Sequence, residues 1–232
     1  MKKKLSISII TLFPEFIEYY TSFGIIKRAI QNKIVEFKAV PLRKFGLDLR
    51  GTVDDRPYGG GVGMVLRADV LQKCIKKTVG TAKKNTRVIL MSPQGKKFVQ
   101  KDSIRLAQYD RLIFVCGRYE GFDERVRKFV DEELSIGDYV LMGGELPSLV
   151  IAEAVLRKVP GVLGKDVSAD SESFTEKLLE YPQYTKPEQL IVNGKKLVVP
   201  KVLLTGHHAN INTWRGIEAI KRTKKRRPDL LT

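Results

Sequence analysis

Three short glycine-bearing segments are where chemistry could sit in this 232-residue chain. "SPQGKK" covers 92–97, "GRYEGFDER" 117–125 and "MGGELP" 142–147, following the apolar runs "TRVILM", "RLIFVC" and "DYVL". Glycines beside strands let a ligand approach the backbone closely. The third segment lies in "LSIGDYVLMGGELPSLV", where Gly137, Gly143 and Gly144 interrupt an apolar run ahead of a helix-like stretch. Neither GxGxxG nor GxxxxGK[ST] occurs, and "GGGVG" at 59–63 misses both spacings. A nucleoside triphosphate is therefore not the expected ligand. Backbone amides and carbonyls, with Glu120 available to a cation, suit a small positively charged cofactor.

The elements that must hold these turns are legible as alternating patterns. Strands are expected at about 4–12, 34–40, 86–91, 111–116 and 138–142. Helical spacing appears between them in "PEFIEYY", "GIIKRAIQNK", "RADVLQKCIKKT" and "VQKDSIRLAQ". This alternation predicts an α/β fold: a mostly parallel sheet with helices on both faces. Such folds bind ligands beyond the carboxyl ends of their strands, where the three turns would converge on one pocket. The bland alternative is that the glycines only close tight turns. "LPSLVIAEAVLRKV" is apolar on nearly all sides and is expected as a buried helix, with Pro147 in its first turn. S-adenosylmethionine, with its adenine, ribose, ammonium and sulfonium, carries the groups such a pocket would meet.

Charge points to a second partner. Lys and Arg number 42 against 26 Asp and Glu, a net +16, which favours a polyanion, nucleic acid before an anionic membrane. The composition turns polar and acidic after Gly164, then basic, predicting a catalytic domain over 1–164, a mobile linker over 165–185 and a small basic helical domain over 186–232. "KRTKKRRP" at 221–228, with Lys224, Lys225, Arg226 and Arg227, is the expected phosphate contact. "GHHAN" reads as a helix start and Trp214 as a core aromatic. Cys74 and Cys116 form no metal or redox motif, no metal site is expected, and two free thiols suit a reducing cytoplasm. The opening "MKKKLSISIITLF" reads as a strand and not a secretion signal, because its apolar run is short and Pro14, Glu15 and Glu18 follow. No stretch is long and apolar enough to span a bilayer.

In order along the chain stand "TVDDRPYGGGVGM" (52–64), "SPQGKK", "VCGRYEG" (115–121), "SIGDYVLMGGELP" (135–147), "PGVLG" (160–164) and "YPQYTKP" (181–187). Together they resemble the bacterial tRNA (guanine-N1)-methyltransferases, the TrmD family, from about residue 5 onward. The resemblance implies a SPOUT-class domain tied in a deep trefoil knot, which ordinary topology rules would not anticipate. It implies a homodimer with active sites at the subunit interface, and methyl transfer from S-adenosylmethionine to N1 of guanosine 37, beside the anticodon of tRNA. The cofactor would lie against Pro93 and Gly95, Gly117 and Glu120, the run Ile136, Gly137, Asp138, Tyr139, Val140 and Leu141, and Gly143, Gly144 and Pro147.

Guanine N1 holds a proton at neutral pH, so the reaction needs a general base and a donor for charge developing on O6. By resemblance, Arg157, just before "PGVLG", is that donor. The family's acid stands directly before "SF", where this chain has Glu172 instead of the usual aspartate; Asp170, two residues earlier, is the alternative base. The long loop over 41–63 offers Arg56, Tyr58 and Gly59 for guanine contact or for the subunit interface, with Asp54 and Asp55 expected to hold Arg56.

Overall fold

The computed structural model describes residues 4–81, 84–163, 172–174 and 176–231. The chain divides into two compact units, Met1–Asp166 and Val167–Thr232. In chain order the first holds β1 (Leu5–Thr11), α1 (Pro14–Thr21), α2 (Gly24–Gln31), β2 (Val35–Pro41), two-residue strands β3 (Asp54–Asp55) and β4 (Val65–Leu66), α3 (Ala68–Val79), β5 (Thr86–Lys97), α4 (Gln100–Leu106), β6 (Arg111–Val115), β7 (Glu132–Ser135) and α5 (Glu145–Leu156). Five strands form one sheet in the order β2-β1-β6-β5-β7, with every neighbouring pair parallel.

Alternation along the strands builds two cores, one on each face of the sheet. Ile7, Ile9, Ile89, Leu112 and Phe114 face one side, against Ile17 of α1, Ala29 of α2, Leu106 of α4 and Ile151, Ala152 and Val155 of α5. Ile10, Val88, Leu90, Ile113 and Val115 face the other, against Val70, Leu71, Cys74 and Ile75 of α3. Strands buried on both faces read as continuous apolar runs, which is why "RLIFV" and "VILM" stood out. Burial also pushes the Cys74 thiol up to about 12, leaving it an inert packing group.

Two expectations for the first unit need correction. The strand expected at 138–142 is absent; β7 ends earlier, at Ser135. The Ser135 hydroxyl accepts from the Gly137 N–H at 3.1 Å and donates to the Gly137 carbonyl at 2.9 Å, while Gly137 takes φ +154°. This tight turn throws "DYVLM" out of the ladder, and Val140 and Met142 are left almost fully exposed. α5 is likewise not buried all round, since Leu146 and Val150 are about half exposed.

The second unit is not purely helical. β8 (Gln189–Val192) and β9 (Lys195–Val198) form an antiparallel hairpin ahead of α6 (His208–Arg226). Asn193 and Gly194 at its tip both have positive φ, the two-residue turn that "NG" specifies; the basic composition hid that signal. The His207 imidazole caps α6 by accepting from the Asn210 N–H at 3.4 Å. Tyr181 lies under the Arg215 guanidinium, Tyr184 lies beside Trp214, and the Leu179 N–H donates to the Thr223 hydroxyl at 2.8 Å.

Ionic links fix β7 to its surroundings. Glu132 accepts from Arg87 at 2.8 Å and from Arg105 of α4 at 2.8 and 3.1 Å. Arg105 also bonds the buried Asp102, which takes Lys96 at 3.0 Å and the Val99 N–H at 3.2 Å. Burial raises the Asp102 pKa, but its Lys96, Val99 and Arg105 donors outweigh burial and hold the carboxyl below its usual value. A depressed carboxylate stabilises the fold above its unfolded pKa, near 3.9, and loses that contribution as pH falls through the lower folded value. Urea midpoints should therefore fall as the pH drops below about 5, and Asp102→Asn should flatten that dependence.

Candidate cofactor cavity

The three glycine turns do meet. A cavity of about 310 Å³ opens at the carboxyl ends of β5, β6 and β7. Pro93, Gly117, Glu120, Ile136, Gly137, Tyr139, Val140, Leu141, Gly143, Gly144 and Pro147 all line it. Gly95 and Asp138 do not. A Cβ on Gly95 would lie 2.6 Å from the backbone of Glu133 and Leu134, so this glycine lets the bulge in β5 pack against β7. Asp138 points outward and pairs with Lys97 at 3.5 Å.

Two neighbouring glycines build the cavity wall for a steric reason. A Cβ on Gly144 would come within 2.7 Å of the Cys116 Cα, and one on Gly143 within 2.3 Å of the Arg118 Nε. Neither has a positive φ, so close approach is what requires glycine here. The Gly144 N–H donates to the Gly117 carbonyl at 3.0 Å, joining the second turn to the third. α5 starts at the next residue, its Glu145 carboxylate buried between the Thr11 hydroxyl at 2.7 Å and the Arg118 Nε at 3.1 Å. Cys116, beneath, is buried, and desolvation pushes its thiol far up.

Charge around the cavity is mostly neutralised internally. Arg127 donates to the Gln94 side chain at 2.6 Å and pairs with Glu124 at 2.7 Å and with Glu133, tying the first turn to β7. Asp123 is held by Arg125, which keeps its carboxyl below the usual range. Among the described residues Glu120 alone of the lining carboxylates makes no ion pair, so it is available to a cationic ligand. Its side chain packs over Gly63, where a Cβ would lie 2.6 Å away. Sequence reading missed Gln94 and Arg127, whose pairing spans 33 positions, and also Asp123 and Glu124, whose arginine partners lie two and three residues away.

The residues just after the 56–63 loop are joined to the second turn by backbone bonds: Glu120 N–H to the Met64 carbonyl, and Leu66 N–H to the Gly121 carbonyl, each at 3.0 Å. Arg56 and Tyr58 are exposed, and Gly59 has φ +84°. Asp55, expected to hold Arg56, accepts the Arg56 backbone N–H at 2.9 Å and also pairs with Arg67 at 2.8 Å. Arg157 is exposed at the C-terminal cap of α5, in the first unit. Glu172 is half-buried in the second unit. Asp170 lies outside the described residues. Lys224, Lys225 and Arg226 are exposed in the last turn of α6. Arg227 differs from them, being paired with Asp229 at 2.7 Å and placed over the Phe174 ring.

The profile of the family described as "tRNA (Guanine-1)-methyltransferase TrmD" matches residues 5–232. The chain belongs to this family. Proteins named tRNA (guanine-N(1)-)-methyltransferase resemble it along nearly their whole length. That of Brevibacillus brevis is 49% identical over 228 residues, 98% of this chain and 91% of the relative. That of Bacillus subtilis is 46% identical over 228 residues, 98% and 92%. That of Actinobacillus succinogenes is 48% identical over 226 residues, 97% and 91%. In this TrmD-family chain the wall built by Gly144 yields a direct test. Gly144→Ala must push α5 away from β6, so chemical denaturation should show a loss of about 1–3 kcal/mol. Unchanged stability would mean that the two backbones can part freely.

Proposed function

We propose that this TrmD-family chain transfers a methyl group from S-adenosylmethionine to N1 of guanosine 37 in tRNA. The observation that carries the reading is the convergence of three glycine turns on one cavity in a chain of this family. The lining fits the cofactor: apolar Leu141 and Pro147, and Glu120, which makes no ion pair, for its ammonium. Pro93, Gly117, Ile136, Gly137, Tyr139, Val140 and Leu141 would hold it, and it would supply the methyl group as an electrophile. A water-shielded pocket and fixed orientation contribute much of the rate of such a displacement.

In this reading Glu172 removes the N1 proton and Arg157 donates to O6 as charge develops there. Asp170 is the alternative base. The segment over 165–185 is proposed as a linker that closes over bound tRNA and excludes water, joining a catalytic domain over 1–164 to a tRNA-binding domain over 186–232. Arg56, Tyr58 and Gly59 are proposed to meet guanine or the partner subunit. The basic end of α6 is proposed to meet phosphates, and the enzyme to act in the cytoplasm, where tRNA is. No helix among the described residues is long and apolar enough to cross a membrane.

The SPOUT knot and the homodimer belong to the same proposal. The knot is supported by the bonds that join Met142 and Gly144 to Arg118 and Gly117 of the second turn. The homodimer is supported by an apolar groove beside the cavity, lined by Phe13, Phe16, Tyr19, Met142 and Leu146. Tyr19 and Met142 there are 70% and 91% exposed, an apolar surface that a second copy would cover.

Mass spectrometry of tRNA incubated with the chain and labelled cofactor should reveal N1-methylguanosine; a 2′-O-methyl nucleoside or no product would refute the assignment. Glu172→Gln should lose ~10²–10⁴-fold in single-turnover methylation, with cofactor affinity little changed. Asp170→Asn should lose less than about tenfold, the lesser effect of a solvating group. The reverse order would assign the base to Asp170. tRNA affinity should fall linearly on a log–log plot against salt, and neutralising Lys224, Lys225 and Arg226 together should flatten the slope. A slope equal to the parent's would exclude the end of α6 from the interface.

A further inference from the structure

We infer that Arg118 is the positioning residue that holds the Met142–Gly144 segment in its cofactor-binding form, a role that rests on the cavity being the S-adenosylmethionine site. Its backbone belongs to the second glycine turn, which closes when the Gly121 N–H donates to the Arg118 carbonyl at 3.1 Å. Its side chain serves the third turn. The guanidinium donates to the Met142 carbonyl at 3.2 Å and to the Glu145 carboxylate at 3.1 Å. It passes so close over Gly143 that any Cβ there would overlap it. Its outer face lies 4.4 Å from the centre of the Phe13 ring.

These contacts make one rigid bracket. Glu145 is almost fully buried and is fixed on its other oxygen by Thr11, so the anchor of the guanidinium barely moves. The planar fork then reaches the Met142 carbonyl from that anchor, a double engagement that a lysine ammonium does not reproduce. Residues 139–142 are largely exposed and have no strand ladder to hold them. The Arg118 bond at Met142 therefore sets where this side of the cavity stands. Gly143 is glycine because the bracket occupies the space that its Cβ would need.

The test is a double-mutant cycle read by calorimetric titration with S-adenosylmethionine. Arg118→Ala and Gly143→Ala should each weaken binding roughly tenfold or more, the scale of one charge-assisted hydrogen bond. Gly143→Ala should add little in the Arg118→Ala background, because the group it clashes with is gone. Arg118→Ala leaves the buried Glu145 without its cation, so Arg118→Lys is the companion variant. It keeps the charge and should still weaken binding. At saturating cofactor, methyl transfer by Arg118→Lys should return close to the parent rate, a KM effect that general loss of fold would not produce. Parent-like affinity in Arg118→Lys, or additive losses in the cycle, would overturn the role of Arg118 alone. A parent chain that binds no S-adenosylmethionine would overturn the cofactor reading and this role with it.

Discussion

The structure of the site depends on one steric constraint, the approach of the backbone at Gly144 to the backbone at Cys116 and Gly117. The distance a Cβ would have to the Cys116 Cα, 2.7 Å, leaves no room for any side chain. With that contact made, α5 begins directly beyond the end of β6, and Glu145 enters the core beside Thr11. Buried there, its carboxylate needs a cation, which Arg118 supplies from the second turn. The irregular 136–143 segment is then held from both ends, by the Ser135 turn and by the Gly144 contact, and its middle forms one wall of the cavity. Packing, electrostatics and cavity shape are thus consequences of two small residues at adjacent positions.

The electrostatics divide by location. The chain as a whole carries +16, an asset for a polyanionic substrate. Close to the cavity the cations are consumed: Arg118 by Glu145, Arg127 by Glu124 and Glu133, Arg125 by Asp123. What remains for a ligand is a carboxylate, Glu120. A local site for a cation is therefore compatible with a chain whose net charge is strongly positive. The ion links among Arg87, Glu132, Arg105, Asp102 and Lys96 play a different part. They fix the edge strand β7 to α4 and to the bulge of β5, so the turn that follows β7 starts from a rigid point.

Much of this was legible in the residues, for identifiable reasons. Period-two alternation in "LSISIIT" and unbroken apolar runs in "RLIFV" report burial on the sheet faces, which is a local property. Four of the five expected strands stand where the pattern put them. The fifth failed because "DYVLM" is apolar without being buried. Its apolar residues form a cavity wall and an exposed face, and hydropathy does not distinguish a core from a surface meant to be covered by something else. The same ambiguity made α5 look buried on all sides when Leu146 and Val150 are half exposed.

The sequence by itself determined the parallel α/β architecture, the three turns, the basic surface and, through its ordered motifs, the family. Those features depend on residue type and short-range spacing. Only the tertiary structure decided which glycines line the cavity and which, like Gly95, serve packing between β5 and β7. It decided that Asp55 also pairs with Arg67, and that Arg118 reaches Glu145 across 27 positions. Ion-pair partners and backbone approaches are set by how distant segments are brought together, and no local spacing encodes them.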